Sequence, residues 1–227
     1  MESDGIDYPY LVSVLLPFRE NVDMVVESLK SLYLTAKEVD RVEILIKIDD
    51  DDEISLSRIN EYKDIFPNTK ILISSRRGGY NSFNIFLNEL CSISEGEFLF
   101  LWNDDVCMKK RNWDEKLLQY QGQEILIEPK TNNIIFPHTF PILHRKIYEY
   151  MGVFSELILC DAWLYDVLFP LGLVTIIEDI VVHHNQYEGM QDYWVASKEY
   201  FSEIGISKRE AMMNKIAEIY DIKPDYD

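Results

Sequence analysis

The sequence GEFLFLWNDDV, at residues 96–106, decides the fold of this chain. Its five successive apolar residues, Phe98–Trp102, predict a strand that is buried on both faces, as in the middle of a parallel sheet. Asn103, Asp104 and Asp105 follow that strand directly. Acidic side chains are rarely buried without a partner, so this position requires a physical reason. Two explanations are open at this point: a turn, because Asn and Asp bond nearby backbone, or a divalent metal held by oxygen ligands.

The N-terminal half of the chain alternates strands with helices around this central strand. Apolar runs predict three further strands, and one-face apolar patterns predict helices between them. Such alternation predicts a parallel α/β sheet with right-handed crossovers. The predicted strands are Leu11–Pro17, Val42–Ile48 and Lys70–Ser74, and the helices begin near Asn21, cover Ser55–Ile65 and begin at Asn81.

The C-terminal half is less regular. Short strands, helices and one longer strand that ends in His183-His184 are predicted, and the capping-box pattern at Ser207–Glu210 predicts the start of a last amphipathic helix. The other predicted elements are helices Trp113–Gln121, Ile142–Met151 and Cys160–Phe169, and strands Glu124–Glu128, Asn133–Phe136 and Leu173–Val182.

Length and composition indicate an ordinary globular protein. The chain has 227 residues, 47% of them hydrophobic and 27% charged, which is enough to form a full core. Since no linker, repeat or low-complexity tract interrupts it, we expect one domain over residues 1–185 and a helical C-terminal extension over residues 186–227.

The charge excludes some classes of partner. Forty acidic residues against 22 basic ones give a formal net charge of −18, without the basic stripe that nucleic-acid binding requires. An acidic chain also repels anionic membrane surfaces. Small anionic ligands can still bind where a metal or an arginine offsets the field.

Cysteine usage and the apolar stretches predict a cytoplasmic protein. The three cysteines are odd in number and show no CxxC spacing, which argues against disulfides and zinc and for a reducing compartment. The acidic N-terminus is unlike a signal peptide. Leu157–Ile177 is long and apolar, but Asp161, Asp166 and Pro170 within it argue against a transmembrane segment.

Polar groups follow four of the predicted strands. Each has an ordinary explanation when it is considered alone, as a solvated loop, a charged turn, or one core and one surface histidine. In a parallel sheet, however, the first three groups converge on one edge, where open sheets bind ligands. Their joint placement favours a functional site. The four groups are Asp49–Asp52, Arg76-Arg77, Asn103–Asp105 and His183-His184.

This arrangement resembles the family 2 glycosyltransferases and their relatives with the GT-A fold, which pass a sugar from a nucleotide donor to an acceptor. The resemblance covers roughly Leu11 to His184 and rests on five motifs in the family's order. They are Val12–Pro17 for "VSVIIP", Ile46–Asp50 for "VVDDGS", Gly78, Gly79 and Asn84 for "NxGxxxARNxG", Gly96–Asp105 for "GEYIxFLDxD", and Asp161–Leu164 with Gly172 and His183 for "EDxDL…G…H".

The chain departs from the family pattern at several positions. Asn103 replaces the first Asp of DxD, and Asp51-Asp52 replace a Gly-Ser pair. Phe83 stands where the family has an Arg before Asn84, and Cys160 stands where an acid precedes the base. The QxxRW motif of processive polysaccharide synthases is absent from the sequence.

The resemblance implies a fold and an activity. The fold would be α/β of the GT-A type, with a mostly parallel central sheet flanked by helices, a nucleotide-binding half at residues 1–106 and an acceptor half at residues 107–185. The activity would be metal-dependent, inverting transfer of a sugar from a UDP- or dTDP-linked donor to a hydroxyl of a glycan or other acceptor.

The resemblance also implies roles for single residues. Asp49 would accept a hydrogen bond from N3 of a uracil-type base, and Asp104 would meet the ribose. Asp105 would coordinate Mn²⁺ or Mg²⁺, with His183 (or His184) as a further ligand. Asp161 would be the general base, although it could also be a helix N-cap. The nucleotide-binding set is Pro17, Phe18, Arg19, Asp49, Arg77, Asn84, Asn103 and Asp104.

Two other functions stay open from the sequence. A nucleotidyltransferase also uses a parallel sheet with metal-binding aspartates, but it favours a Gly-rich basic loop after the first strand, where this chain has Phe18–Asn21. A non-catalytic nucleotide-sugar-binding module is the other alternative, and Asn103 and Cys160 keep it open.

Overall fold

A single mixed sheet of eight strands runs through the part of the chain that the computed structural model describes, which is residues 7–58, 61, 63, 66–132, 138–185 and 197–225. The predicted strand Asn133–Phe136 lies outside these residues. The spatial order is β3-β2-β1-β4-β7-β6-β8-β5. The strands are β1 Tyr10–Phe18, β2 Val42–Asp49, β3 Thr69–Ser74, β4 Gly96–Leu101, β5 Val106–Met108, β6 Leu126–Thr131, β7 Ile142–His144 and β8 Val174–His184.

Helices and short 3-10 turns connect the strands. The α-helices are α1 Val22–Thr35, α2 Glu53–Ser57, α3 Phe83–Ile93, α4 Trp113–Leu118, α5 Arg145–Met151, α6 Cys160–Leu168 and α7 Glu203–Tyr220. The 3-10 turns are Val39–Arg41, Gly79–Ser82 and Phe169–Leu171. Among the described residues, no helix combines the length and the apolar character that a membrane crossing needs.

The parallel arrangement predicted for the N-terminal half is confirmed. Strand β1 pairs in parallel with β2 and with β4, and β2 pairs in parallel with β3. Every residue of β2 and of β4 is buried, as strands covered on both faces require. The carboxyl ends of β1, β2 and β4 therefore lie at one edge.

The prediction of a mostly parallel sheet is wrong for the C-terminal half. There, β4 with β7, β6 with β7, and β5 with β8 are antiparallel, and only β6 with β8 is parallel among the described pairings. The connection from β6 at Thr131 to β7 at Ile142 is too short for the crossover helix that parallel neighbours need.

Three boundaries differ from the sequence predictions. The predicted helix Ile142–Met151 begins as β7, and its helical part starts only at Arg145, where the ring of His144 caps it by accepting a hydrogen bond from the Lys146 amide at 3.3 Å. Helix α7 begins one turn before the predicted capping box, because Ser202 accepts from the Gly205 amide at 3.1 Å. Strand β5 was not predicted, since three residues carry too little periodicity.

A buried polar cluster fixes the start of β4. The Glu43 carboxylate, fully buried on β2, accepts hydrogen bonds from the Ser13 hydroxyl at 2.5 Å and the Glu95 amide at 2.9 Å. Lys70 forms an ion pair with it at 2.7 Å. Ser13 in turn accepts from the Gly96 amide at 2.8 Å, so β1, β2 and β4 are joined at their amino ends.

Gly96 allows β4 to lie close against β1. A Cβ atom there would stand 2.5 Å from the Ser13 backbone nitrogen and 2.6 Å from the Val12 carbonyl carbon. Real Cβ atoms do not approach backbone atoms so closely. Because the obstacle is backbone rather than a movable side chain, the sheet itself requires glycine at this position.

We expect Gly96→Ala to lower the free energy of unfolding by about 2–4 kcal/mol, since overpacking against rigid backbone displaces a central strand. The matched control is Gly152→Ala, where the added Cβ meets nothing within 4 Å and only the left-handed backbone, at φ +79°, is strained. That control should lose about 1–2 kcal/mol. Urea unfolding measures both, and equal losses would contradict the proposed contact.

Candidate active site

Side chains just after β1 connect the carboxyl ends of β2 and β4, which the sequence predicted to lie at one edge. Arg19, just after β1, donates from Nη1 to Oδ2 of Asp49 at the end of β2 over 3.1 Å. Asn21, at the start of α1, donates from Nδ2 to Oδ2 of Asp104 after β4 over 3.0 Å. The three strand ends thus form one polar edge.

Two positively charged side chains contact the carboxylate of Asp49, one at each oxygen. Its Oδ1 contacts the ammonium of Lys47, whose side chain is only 1% exposed, and its Oδ2 contacts Arg19. The Lys47 ammonium also lies 3.6 Å from the ring centroid of Phe86 on α3, a cation–π contact. Sequence analysis missed Lys47, although a lysine inside an otherwise apolar strand, two residues before Asp49 and so on the same face, is a usable signal.

The other acids of the Asp49–Asp52 run have separate roles. Asp51 pairs with Arg19 at 2.5 Å, and Asp50 is exposed. Asp52 caps α2 by accepting from the Ser55 amide at 3.1 Å, and it also accepts from the Glu20 amide at 2.9 Å. Burial acts to raise the pKa of Asp52, but the hydrogen bonds from Ser55 and Glu20 outweigh it and hold that pKa below its ordinary value.

Helix α1 fixes the turn that follows β4. The indole of Trp102 donates to the Ser28 hydroxyl at 2.8 Å, and that hydroxyl donates to the Asn103 carbonyl at 3.1 Å. The Asn103 backbone is therefore anchored to α1, and the turn presents Asp104 and Asp105. Both explanations for these acids, a turn and a ligand-facing group, are compatible with this geometry.

Asp104 and Asp105 have different partners. Burial raises the pKa of Asp104, with the charge of Asp105 acting in the same direction and the hydrogen bond from Asn21 acting against it. Oδ2 of Asp105 lies 2.8 Å from Nε2 of His184 at the end of β8. His183 lies opposite Cys107 in the β5–β8 pairing. Because neighbouring residues of a strand point to opposite faces, the histidine that faces Asp105 is His184.

The residues fit a divalent cation that a ligand helps to hold. No group of three His, Cys, Asp or Glu side chains suited to a metal occurs within the described ranges. Asp105 and His184 offer one carboxylate and one imidazole nitrogen. Mg²⁺-type sites commonly use one or two protein carboxylates, with substrate phosphates and water as the other ligands. The donor set therefore suits a cation shared with a diphosphate rather than an all-protein cage.

The remaining predicted nucleotide-binding residues lie around this edge with varied accessibility. Pro17 and Phe18 are buried at the end of β1. Arg77, with a left-handed backbone at φ +51°, pairs with Glu89 of α3 at 2.9 Å rather than with Asp49. Asn84 is half-buried in the first turn of α3. Their roles stay predictions.

A second acidic cluster lies at the start of α6. Asp161 is in the first turn of that helix, where its carboxylate accepts from the Ala162 amide at 2.9 Å; the N-cap position is Leu159, so the predicted N-cap role is wrong. Burial raises the pKa of Asp161 to about 6, against the opposing effects of backbone hydrogen bonds and of His138.

Glu128 and His138 complete this cluster, and sequence analysis missed both. Glu128, on β6, is 1% exposed, and burial raises its pKa to about 7 while His138 lowers it and the charge of Asp161 raises it. Nδ1 of His138 lies 3.7 Å from Oε2 of Glu128. The available signal was a glutamate inside a predicted apolar strand, but its contact with His138 depends on tertiary packing that the strand pattern does not reveal.

Comparison with known proteins defines the fold. Neither the protein families nor the curated proteins contain a sequence match. The structure is similar to the Pyrobaculum calidifontis mannosyltransferase PcManGT in complex with GDP-Man and Mn²⁺, with a TM-score of 0.70, 12% identity, and coverage of 94% of this chain and 70% of that chain.

Solved structures of S. aureus TarS are similar as well. The 1–349 fragment in complex with UDP gives a TM-score of 0.62 at 12% identity, covering 93% of this chain and 72% of that chain. Its complex with UDP-GlcNAc gives 0.61 at 12% identity, covering 91% and 72%. This chain therefore has the mixed α/β fold of these glycosyltransferases.

The two buried glutamates Glu128 and Glu97 should respond oppositely to neutral substitution. The pKa of Glu128 is raised to about 7, so the wild type loses stability as pH rises from about 4.5 to about 7. Relative to wild type, Glu128→Gln should gain about 2–3 kcal/mol between pH 5 and pH 8. Denaturant unfolding at the two pH values measures the gain.

The matched control is Glu97→Gln. Burial acts to raise the pKa of Glu97, but hydrogen bonds, from His144 and the Gly122 amide among others, hold it below its ordinary value. The stability that Glu97 contributes is present above about pH 4.5 and is lost as pH falls. The control should therefore be less stable than wild type at pH 8, with a gap that narrows in acid. A change in stability of the same sign in both variants at pH 8 would contradict the opposite pKa shifts of the two glutamates.

Proposed function

We propose that this chain is a GT-A-type glycosyltransferase, related to family 2, that transfers a sugar from a nucleoside diphosphate to an acceptor hydroxyl. The observation that carries the proposal is the Asp105–His184 pair, 2.8 Å apart, at the carboxyl edge of a sheet shared with PcManGT. PcManGT was solved with GDP-Man and Mn²⁺, and TarS with UDP-GlcNAc. Ligands of open α/β sheets bind at this edge.

The donor would lie across the ends of β1, β2 and β4. Asp49, at the end of β2, would accept a hydrogen bond from N3 of uracil or thymine, which makes UDP- or dTDP-sugars the proposed donors. Asp104, held by Asn21 at 3.0 Å, would meet the ribose. The carboxylate of Asp49 is 7% exposed, so a base would have to approach it closely.

Asp105 and His184 would hold Mn²⁺ or Mg²⁺ together with the donor diphosphate. When bound, such a cation offsets the negative charge that develops on the departing nucleoside diphosphate. Of the two adjacent histidines, His184 is the better candidate because it already contacts Asp105. The earlier assignment of His183 stays a prediction.

Asp161 is the proposed general base of the acceptor half. Its pKa of about 6 leaves the carboxylate mostly ionised at neutral pH, so it can take the proton from an acceptor hydroxyl. That hydroxyl would attack the anomeric carbon opposite the diphosphate and invert the centre. Burial raises the pKa of the neighbouring Cys160 thiol well above its ordinary value, so the thiol stays neutral and does not compete as a base.

One observation counts against a nucleotidyltransferase. Three successive backbone amides after β1 are already bonded: that of Glu20 donates to Asp52 at 2.9 Å, and those of Asn21 and Val22 donate to the carbonyls of Arg19 and Glu20 at 2.8 Å and 2.9 Å. A Gly-rich loop with free amides is the usual device for binding such phosphates. The geometry therefore favours a donor diphosphate at β4 over a triphosphate at β1.

Metal dependence is the first test. UDP should bind wild type about tenfold tighter with Mn²⁺ than with EDTA, equivalent to about 1.4 kcal/mol, and Asp105→Asn should abolish the difference. Calorimetry with UDP, dTDP and GDP measures it. Asp50→Asn is the matched control, since Asp50 is exposed at the same edge, and it should keep the metal effect. Metal-independent binding of all three nucleotides in wild type would refute the proposed site.

Catalysis is tested at Asp161. Asp161→Asn keeps an oxygen for the Ala162 amide, so folding and UDP binding should persist while turnover falls by about 10²-fold or more. Hydrolysis of UDP-GlcNAc, UDP-glucose and GDP-Man can be followed as transfer to water. The control Asp166→Asn removes a carboxylate from the same helix and should keep turnover near the wild-type rate. An active Asp161→Asn variant would remove Asp161 from the mechanism.

A further inference from the structure

Glu128 is a buried acid whose nearest described charged partner, His138, lies at 3.7 Å, beyond hydrogen-bonding distance. Among the described residues, neither of its carboxyl oxygens has a hydrogen-bond partner, although the residue is 1% exposed. Glu43 and Glu97, which are also buried, accept hydrogen bonds from backbone amides and side chains. Burying a polar group without such bonds is unfavourable, so an apolar residue would fill this position better if packing were its only role.

His138 lies between Glu128 and the helix that carries Asp161. Its Nδ1 is buried and lies 3.7 Å from the Glu128 carboxylate, and its ring stacks on Tyr165 with centroids 3.6 Å apart at 21°. Tyr165 follows Asp161 by four residues on α6, which puts both on one face of that helix. His138 therefore connects Glu128 with the helix face that carries Asp161, and its charge lowers the pKa of both carboxyl groups.

We propose that Glu128 is a positioning residue of the acceptor half, and that Glu128, His138 and Asp161 form one coupled proton-holding unit in which Glu128 sets the basicity of Asp161. This proposal rests on the proposed function of Asp161 as the general base. Nothing in the family resemblance assigns a role to Glu128 or to His138, and the proposal stands on their contact geometry.

Burial and charge determine the order in which the two carboxyl groups of the unit lose their protons. Two carboxyl groups that share a buried site lose their protons in two separate steps, because the first negative charge opposes the second ionisation. The pKa values of about 6 for Asp161 and about 7 for Glu128 put the ionised form on Asp161 first, and the charge of Asp161 helps to hold the proton on Glu128. Ionisation of Glu128 then adds a second negative charge that makes Asp161 a stronger base.

In the transfer step, no proton passes to or from Glu128. The acceptor O–H gives its proton to Asp161 while the acceptor oxygen forms a bond to the anomeric carbon. The bond from that carbon to the phosphate oxygen breaks, and its electron pair leaves with the nucleoside diphosphate. Glu128 affects this step only through the charge that it places beside Asp161.

Two tyrosines also face the unit. The pKa of Tyr165, on α6, is raised by burial and by the charge of Glu128. The pKa of Tyr200, from the C-terminal segment, is raised mainly by burial and by its hydrogen bond to Asp166, with Asp161 adding to the effect. Both phenols stay neutral through the pH range from 5 to 8, so they do not titrate with the carboxyl groups.

Direct titration of the full chain tests the coupling without any substrate. Carboxyl carbons of ¹³C-labelled Glu and Asp are followed by NMR from pH 4 to pH 9, and Glu128→Gln assigns the Glu128 signal. We expect the Glu128 midpoint near 7 in wild type. The midpoint should fall by about 0.5–1 pH unit in Asp161→Asn, because that variant removes a negative charge that opposes ionisation of Glu128. It should rise in His138→Gln, because that variant removes a group that favours the ionised form. Asp166→Asn should leave it unchanged.

A pH profile of donor hydrolysis tests the effect on the base. Wild type should show two rising inflections, near pH 6 and near pH 7, and Glu128→Gln should keep the first and lose the second, with a few-fold lower rate at pH 8. A purely structural role would lower the rate equally at every pH and leave both inflections in place, which would overturn the proposal.

The two arms separate this proposal from the proposed function. A Glu128 midpoint near the ordinary value of 4.5, or one that neither Asp161→Asn nor His138→Gln moves, overturns the coupled unit whatever the enzyme does. Absence of turnover with every donor tested, together with coupled midpoints, overturns the glycosyltransferase assignment and leaves the proton coupling supported.

Discussion

The close contact of β4 with β1 is the constraint on which the site depends. Gly96 lets the two backbones approach, and the register that follows pairs Leu15 with Leu101. The Trp102 amide then donates to the Leu15 carbonyl at 3.0 Å, so the chain leaves the sheet beside the end of β1. Asp104 reaches Asn21 because of this register. A strand shifted by one residue would turn the acidic side chains to the opposite face.

The buried acids of this fold are of two kinds, those that hydrogen-bond to neighbouring strands and loops and one, Glu128, that does not. Glu43 binds the amino ends of three strands together, and Oε1 of Glu97 accepts from the Gly122 amide at 2.5 Å and lies 3.3 Å from His144. Each of these two acids therefore has hydrogen bonds at one carboxyl oxygen, as buried polar groups usually do, while its other oxygen has none among the described residues. Glu128 is not paired in this way. Perturbed acids of that kind concentrate at functional sites, which is why it stands apart from the other two.

The sequence predicted the parallel half of the fold, because long apolar strands alternate there with one-face helices and each strand ends in polar residues. It failed where elements are short or adjoin: β5 has three residues, and β7 runs directly into α5 at Arg145. For the site, the convergence of Asp49 and Asp104 on one edge followed from strand direction. Lys47 was missed although its partner Asp49 lies only two residues away on the same strand. The partnership of Glu128 with His138 was missed because it depends on tertiary packing and not on strand periodicity.

The two ion pairs of the Asp49 carboxylate, with Lys47 and Arg19, affect how the binding of the proposed donor would depend on salt. A base of the proposed donor that reaches Oδ2 must displace the Arg19 guanidinium, which is 26% exposed, so a hydrogen bond from an uncharged N–H would replace an ion pair. Salt screens the attraction between two partly exposed charges more than it weakens a hydrogen bond from an uncharged donor. Added salt would therefore favour the ligand at the base end while it weakens attraction at the diphosphate end. Opposite ionic-strength dependences at the two ends would make overall affinity less sensitive to salt than the charges alone suggest.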